Sequence, residues 1–196
     1  AVIDIGKRIA AEKLTVFGVP TSLRTAMLAQ QAGIRVLSSV TDVPIDWAFD
    51  GADEVDPQLN MIKGRGVMML NEKINARRAR EFVVIVSDDK LVDRLGSKFP
   101  VPVEVVPNAV PYVTAELAKL GGHSIEVRQS DKKYGPVITE NGNVVIDVRF
   151  DSITPDYEVK IKSIVGVVES GLFVGAASQV LVVKTDGVHS LRLSAG

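Results

Sequence analysis

Asp50, Asp53, Lys63 and Glu72 bring three carboxyl groups and an ammonium group into one short stretch of chain. It reads Asp50-Gly51-Ala52-Asp53-Glu54-Val55-Asp56, then Met61-Ile62-Lys63-Gly64-Arg65-Gly66, then Leu70-Asn71-Glu72-Lys73. Carboxylates and an ammonium around a glycine turn suit proton transfer on a small anionic molecule. The carboxylates would move protons and the ammonium would meet the oxyanion that forms. Asp50 and Asp53 flank Gly51-Ala52 and can both face one cleft mouth, binding sugar hydroxyls. The same four residues also read as a solvated turn at a strand end, because Asp and Gly favour turns. Glu54 and Asp56 add charge that a divalent cation could use. The spacing is not that of a calcium-binding loop, and no metal is expected.

Lys63-Gly64-Arg65-Gly66 reads either as a plain loop or as an anion cradle before a helix. Glycines let backbone amides approach a ligand, and a helix N-terminus favours negative charge. Glu72 reads either as a solvated helical glutamate or as a base on an apolar stripe shared with Met68, Met69, Ala76 and Ala79. A carboxylate on such a stripe has a partner or a pKa raised by desolvation, which suits a general base near neutral pH. Ser87-Asp88-Asp89-Lys90 follows an apolar strand and reads as an N-cap, with Lys90 at the edge of the sheet. His123 and His189 have no helper at a recognisable spacing and read as structural or surface residues.

The elements that must position these residues alternate through the first half of the chain. Helices are expected over 1–13, 23–32, 67–80 and 90–95. Short apolar strands are expected over 14–19, 34–37, 47–49 and 82–86, and Thr21 or Ser22 offers an N-cap before the second helix. Such alternation implies parallel βαβ units, whose ligands bind beyond the carboxyl ends of the strands. Asp50 to Asp53, Lys90, and Thr21 with Ser22 all follow strands at that end. From residue 99 prolines punctuate the chain. A helix over 110–120, strands over 124–128 and 143–150, a turn at Glu140-Asn141-Gly142-Asn143, a helix over 157–164 and a strand over 167–174 then read as a split βαβ arrangement. Residues 99–172 are therefore expected to form a small inserted α+β domain, with strands over 179–184 and 190–193 returning to the first domain, 1–98 plus 173–196.

The 196 residues are 46% hydrophobic and 24% charged, ordinary for a globular protein, and the formal net charge is −1. No broad basic field is present, so nucleic acid is an unexpected partner. No apolar run approaches the ~20 residues that span a bilayer, and no membrane partner is expected. With no signal-peptide pattern, a cytoplasmic location is expected. Cysteine is absent, which excludes disulfides and thiolate metal sites.

Taken together, these stretches resemble ribose-5-phosphate isomerase, type A. The resemblance rests on Asp50-Gly51-Ala52-Asp53-Glu54-Val55-Asp56, Ile62-Lys63-Gly64-Arg65-Gly66, Glu72-Lys73-Ile74, Ser87-Asp88-Asp89-Lys90, Pro102-Val103-Glu104-Val105-Val106-Pro107, Asn141-Gly142-Asn143 and Gly171-Leu172-Phe173, and it runs along essentially the whole chain. It implies an α/β fold: a Rossmann-like parallel-sheet domain carrying a ferredoxin-like lid. It implies an aldose–ketose isomerase of the non-oxidative pentose phosphate pathway, interconverting ribose 5-phosphate and ribulose 5-phosphate through a cis-enediolate. Glu72 matches the base, Lys63 the enediolate-stabilising lysine, and Asp50 and Asp53 the residues that bind the sugar and exchange protons on oxygen. Gly51, Ala52, Gly64, Arg65, Gly66, Lys90, Thr21 and Ser22 are the further substrate-binding candidates. No cofactor is implied, and a homodimer or homotetramer is. The alternative is a phosphosugar-binding domain of the same fold without turnover. The family's N-terminal strand and its Gly-Thr-Gly-Ser-Thr phosphate loop would precede Ala1, so the sequence is expected to omit them. A second departure is Val67-Met68-Met69, where the family commonly has small residues.

Overall fold

The computed structural model describes residues 2–193, a mixed α/β chain with parallel sheet elements. Its elements run α1 (Val2–Glu12), β1 (Phe17–Gly18), α2 (Leu23–Gln31), β2 (Arg35–Val36), β3 (Ile45–Asp50), β4 (Glu54–Val55), β5 (Met61–Ile62), α3 (Met69–Arg78) and β6 (Ala79–Ser87). They continue β7 (Val101–Val105), α4 (Val110–Lys119), β8 (Gly122–Val127), β9 (Val144–Phe150), α5 (Tyr157–Lys162), β10 (Val167–Ser170), β11 (Leu172–Phe173), β12 (Gln179–Lys184) and β13 (Gly187–Leu191). The chain divides into two compact units after Ile45.

In the first unit β1 and β2 pair in parallel, with Phe17 opposite Arg35. Of the two expected caps, Thr21 and Ser22, it is Ser22 that caps α2, its hydroxyl accepting from the Thr25 amide at 3.1 Å. Gly33 ends the helix with φ +77°. The expected strands shrink to two residues each. Gly6 sits so close to Ala32 that a Cβ would lie 2.3 Å from the Ala32 carbonyl oxygen, which fixes how α1 meets the end of α2.

In the second unit three sheets form around two apolar clusters. The order β13-β12-β6-β3 contains the parallel pair β6 and β12, Val84 beside Val180. A small sheet, β11-β5-β4, is antiparallel throughout. The fourfold sheet β10-β7-β9-β8 is antiparallel and is built by a strand-helix-strand-strand-helix-strand run. One face of β9 sends Val144, Ile146, Val148 and Phe150 into a cluster with Val101, Val103, Val105, Leu117 and Ile161. Val145, on the alternate position, joins Met61, Met69, Phe82, Val84, Phe173 and Val182 in the other. Period-2 alternation sends one wholly apolar face of β9 into the first core, while Val145, on the face it shares with Asp147 and Arg149, reaches the second. The serine-rich edge of the substrate candidates also changes: residues 88–90 form a single 3-10 turn rather than a longer helix, and the Ser87 hydroxyl bonds the Asp89 carboxylate instead of capping a backbone amide.

Two features differ from the sequence expectation for a common reason. Pro102 was read as punctuation, yet it lies inside β7, paired with Asp147 of β9. The single strand expected over 167–174 splits, β10 joining β7 and β11 joining β5. Gly171 is the crossing point. Its amide donates to the Pro102 carbonyl at 2.7 Å, and its carbonyl accepts from the Lys63 amide at 2.8 Å. The ladder between β7 and β10 ends at Val103 opposite Ser170, so the proline's missing N–H falls where no strand bond is needed. A Cβ on Gly171 would stand 2.1 Å from the Lys63 carbonyl oxygen and 2.7 Å from the Pro102 ring. Gly171→Ala must therefore push backbone from backbone. It is expected to destabilise the protein by about 3 kcal/mol, read as a lower urea midpoint with an unchanged m-value.

Candidate active site

Asp50, at the end of β3, Lys63, just after β5, and Glu72, in the first turn of α3, converge in the second unit. The Lys63 ammonium is the centre. Its Nζ lies 2.8 Å from Asp50 Oδ2 and 3.2 Å from Glu72 Oε2, and it donates to the Gly51 carbonyl. The Lys63 side chain is 3% exposed, that of Glu72 14% and that of Asp50 30%. The buried cation thus has one half-open carboxylate and one nearly closed one. The Phe173 ring lies 5.4 Å from Nζ and offers its π face to the charge.

Glu72 lies on the buried side of α3, as its neighbours predicted. Met69 and Ala76 are in the core, although Ala79 belongs to β6 rather than to the helix. Burial pushes its carboxyl up from 4.5 to about 7, the Asp50 charge adds to the rise, and the Lys63 ammonium opposes it. Glu72 Oε2 is buried 3.2 Å from Nζ, so the ammonium acts on it at close range. For Lys63, burial works against the charge, but Glu72 and Asp50 outweigh it and hold the ammonium above the ordinary lysine range. The neutral combination is one cation with one anion, Lys63 with Asp50. Ionising Glu72 adds an uncompensated buried charge. The stability that Glu72 contributes is accordingly full below about pH 4.5 and is lost as pH rises through 7.

The carboxylates of the opening motif divide their work. Asp50 Oδ1 accepts from the Gly51 amide at 2.8 Å, and Asp53 Oδ2 from the Arg65 amide at 3.1 Å. Glu54 points the other way, fully buried, and accepts the backbone amides of Gly96, Lys98 and Phe99 at 2.6 to 2.7 Å. Asp56 holds the turn through Gln58 and Asn60. Among the described residues no group of three or more His, Asp or Glu side chains is arranged to hold a metal ion.

The remaining candidates differ in where they lie. Ala52 packs against the core, and Gly64 has φ +108°, with Pro102 and the Met69 sulfur 3.1 Å from where a Cβ would stand. Gly66 has open space around it. Val67 takes φ +68°, a left-handed conformation that a β-branched residue adopts only under constraint. This is the local cost of a bulky residue where small ones were expected, and Met69 beside it fills the core. The Phe99 ring stands between two cations, Arg65 at 5.8 Å and Lys90 at 5.7 Å. Because Glu54 holds the Phe99 amide, Lys90 and Arg65 share one rim. Thr21 and Ser22 belong to the first unit, where Ser22 caps α2. His123 pairs with Asp151 and His189 with Asp186, both on exposed strands away from these contacts.

Three contributors were missed in the sequence. Lys73 is buried beside Glu72 and bonds Glu158 at 2.8 Å, Glu169 at 2.9 Å and the Leu172 carbonyl at 2.6 Å, with Phe173 4.7 Å away. Phe173 therefore lies beside two buried ammonium groups. Arg128 reaches the carbonyl of Gly64. All these partners are distant in sequence, so no local spacing announces them. Hollows of about 700 Å³ and 540 Å³ lie elsewhere, lined by residues such as Leu59, Leu91 and Arg192 or Leu70, Ile74 and Val159; neither is lined by Lys63 or Glu72. The chemistry of the side chains, not cavity size, marks the site.

Residues 17–187 match the family model for ribose 5-phosphate isomerase A (phosphoriboisomerase A). A ribose-5-phosphate isomerase A from Methanothermobacter thermautotrophicus is 45% identical over 191 residues, 96% of this chain and 83% of that protein. The solved structure of ribose 5-phosphate isomerase A from Methanocaldococcus jannaschii superposes with a TM-score of 0.94 at 45% identity, covering 98% of this chain and 85% of that one. A D-ribose-5-phosphate isomerase in complex with phospho-erythronic acid superposes with a TM-score of 0.94 at 42% identity, over 98% and 85% of the two chains.

The electrostatics predict opposite responses to two neutralising changes. In carboxyl-carbon NMR, Glu72 is expected to titrate near pH 7. Lys63→Met should raise that midpoint by removing the attracting cation, and Asp50→Asn should lower it by removing the repelling anion. A midpoint that both variants leave in place would contradict the coupling.

Proposed function

The chain belongs to the ribose 5-phosphate isomerase A family, and from that premise we infer that it is an isomerase interconverting ribose 5-phosphate and ribulose 5-phosphate. The phospho-erythronic acid bound to a structural relative supports a sugar phosphate as its ligand. The observation that carries the assignment of roles is the buried contact of Lys63 with Glu72 and Asp50.

Glu72 is the base. With its carboxyl titrating near 7 it is substantially ionised at neutral pH and still basic enough to accept a carbon-bound proton. It removes the proton from C2 of the open-chain aldose, and the electron pair of that C–H bond moves into a C1–C2 double bond while O1 becomes anionic. Lys63 stabilises the resulting cis-enediolate with a charge already held in place. The O2 proton passes to O1, Glu72 returns its proton to C1, and the ketose forms with no net change in protons. Asp50 and Asp53 bind the sugar and relay protons between oxygens and during ring opening. Gly51, Ala52, Gly64, Arg65, Gly66 and Lys90 contact substrate, with Lys90 and Arg65 supplying positive charge at the rim.

The same resemblance supports a Rossmann-like catalytic part and a ferredoxin-like lid over residues 99–172. The strand order β10-β7-β9-β8 fits the latter. It also supports a homodimer or homotetramer working in the cytoplasm in the pentose phosphate pathway. Among the described residues no helix is long and apolar enough to cross a membrane.

The test is conversion of ribose 5-phosphate in deuterated water. The protein should form ribulose 5-phosphate with deuterium incorporated at C1, and kcat/KM should fall about tenfold per pH unit below pH 7 as Glu72 protonates. Glu72→Gln should lower kcat by at least a thousandfold while leaving the fold intact. Undiminished turnover in that variant would remove Glu72 from the mechanism. Tight binding of the sugar phosphate without conversion by the unaltered protein would favour a binding module instead.

A further inference from the structure

We propose that Arg128 is a positioning residue for the proton-transfer site, locking the peptide between Gly64 and Arg65 and through it the placement of both Lys63 and Asp53. The inference rests on the roles assigned above to Lys63, Asp53 and Glu72. Arg128 follows β8, its amide bonded to the Val145 carbonyl at 2.8 Å and its carbonyl accepting from Val137 at 2.9 Å. Its guanidinium is mostly buried, and each of its three nitrogens donates a hydrogen bond. Nε and one terminal nitrogen fork onto the Asp147 carboxylate at 2.7 and 2.5 Å, while the other terminal nitrogen donates to the carbonyls of Gly64 at 2.8 Å and Arg65 at 3.2 Å.

The Gly64 carbonyl and the Arg65 N–H belong to one planar peptide unit and point to opposite sides of it. Arg128 binds the carbonyl, and Asp53 accepts from the N–H at 3.1 Å. The peptide is therefore pinned between a cation and an anion. On its N-terminal side, the Lys63 amide is tied to Gly171. With these two ties the backbone on each side of Lys63 is fixed, and the ammonium stays 3.2 Å from Glu72. Asp147, on β9, neutralises the guanidinium and holds its plane so that the second nitrogen aims at the loop. A lysine could reach one carbonyl but could not fork onto Asp147 at the same time. The sheet formed by residues 101–170 thus sets the geometry of a loop that belongs to a different sheet.

The proposal separates positioning from bulk stability. In Arg128→Met the loop should relax and Lys63 should draw back from Glu72. The expected results are a fall in kcat of about tenfold to a hundredfold, a smaller change in KM, and an upward displacement of the acid limb of the pH–rate profile. The Glu72 carboxyl-carbon titration should move up with it, because the ammonium is the group that pulls that midpoint down. Arg128→Lys should fall between wild type and the methionine variant, and Asp147→Asn should shift both readouts in the same direction by less. If Arg128→Met does not fold, these two milder variants carry the test. Variants that are folded yet keep the wild-type acid limb and Glu72 midpoint would overturn the proposal, leaving Arg128 as a stabilising residue only. The carbon titration needs no turnover. Inactivity of the wild-type protein on ribose 5-phosphate would sink the isomerase reading and leave this result interpretable.

Discussion

A single buried ammonium organises the candidate site. Lys63 is almost sealed from solvent and cannot be left without compensating charge, since desolvating an unpaired cation costs several kcal/mol. Asp50, the Gly51 carbonyl and Glu72 meet that demand, and in doing so they are drawn to within bonding range of one another's chemistry. The arrangement is lopsided by construction. One carboxylate suffices to balance the cation, so the more deeply buried Glu72 is the one whose ionisation is disfavoured. A carboxyl poised near neutrality beside a fixed positive charge is therefore a consequence of burial and stoichiometry, not of any special bond.

Holding Lys63 in that position falls to the backbone. Gly171 is where the chain leaves one sheet and joins another, and its lack of a side chain lets it bond both Pro102 and Lys63. Arg128 grips the following peptide from the antiparallel sheet. The two cores are consequently not independent: β9 feeds Ile146 into one and Val145 into the other, and the Lys63 loop lies along the seam between their sheets. Val67, forced to a positive φ, and Met69, packed against Gly64, show how tightly that loop is filled.

A second buried cation lies beside the same Phe173 ring. Lys73 is satisfied by Glu158, Glu169 and two backbone carbonyls, so α3 is bound to α5 and β10 on one face while presenting Glu72 on another. Adjacent residues in a helix point about 100° apart. That offset is what lets Glu72 and Lys73 belong to two different charge clusters. The one faces the Lys63 ammonium, and the other is bonded by two carboxylates and two backbone carbonyls.

Much of this was legible in the chain. The apolar alternation of residues 144–150 and the run at 82–86 specify strands. Ser22 specifies a cap, and the spacing of Met69 and Ala76 around Glu72 specifies which side of α3 is buried. The residues Asp50, Lys63 and Glu72 were identifiable because carboxylates and an ammonium near a glycine loop suit only a few chemistries. Their tertiary partners were not, because Arg128 lies 64 residues from Gly64 and Lys73 reaches partners 85 and 96 residues away. Nor could the sequence say that Glu54, of the same motif as Asp50 and Asp53, would turn inward to hold residues 96–99. Pro102 misled local reading because a proline forbids a ladder bond only on the side its nitrogen faces, and that side is known only once Gly171 is in place. By itself, then, the sequence determined which groups could move protons and which segments could be strands or helices, since both follow from residue type and short-range periodicity. Which carboxylate would be buried against Lys63, and so titrate near neutrality, was decided by the tertiary structure, because desolvation and Coulomb energy depend on distances that only packing sets.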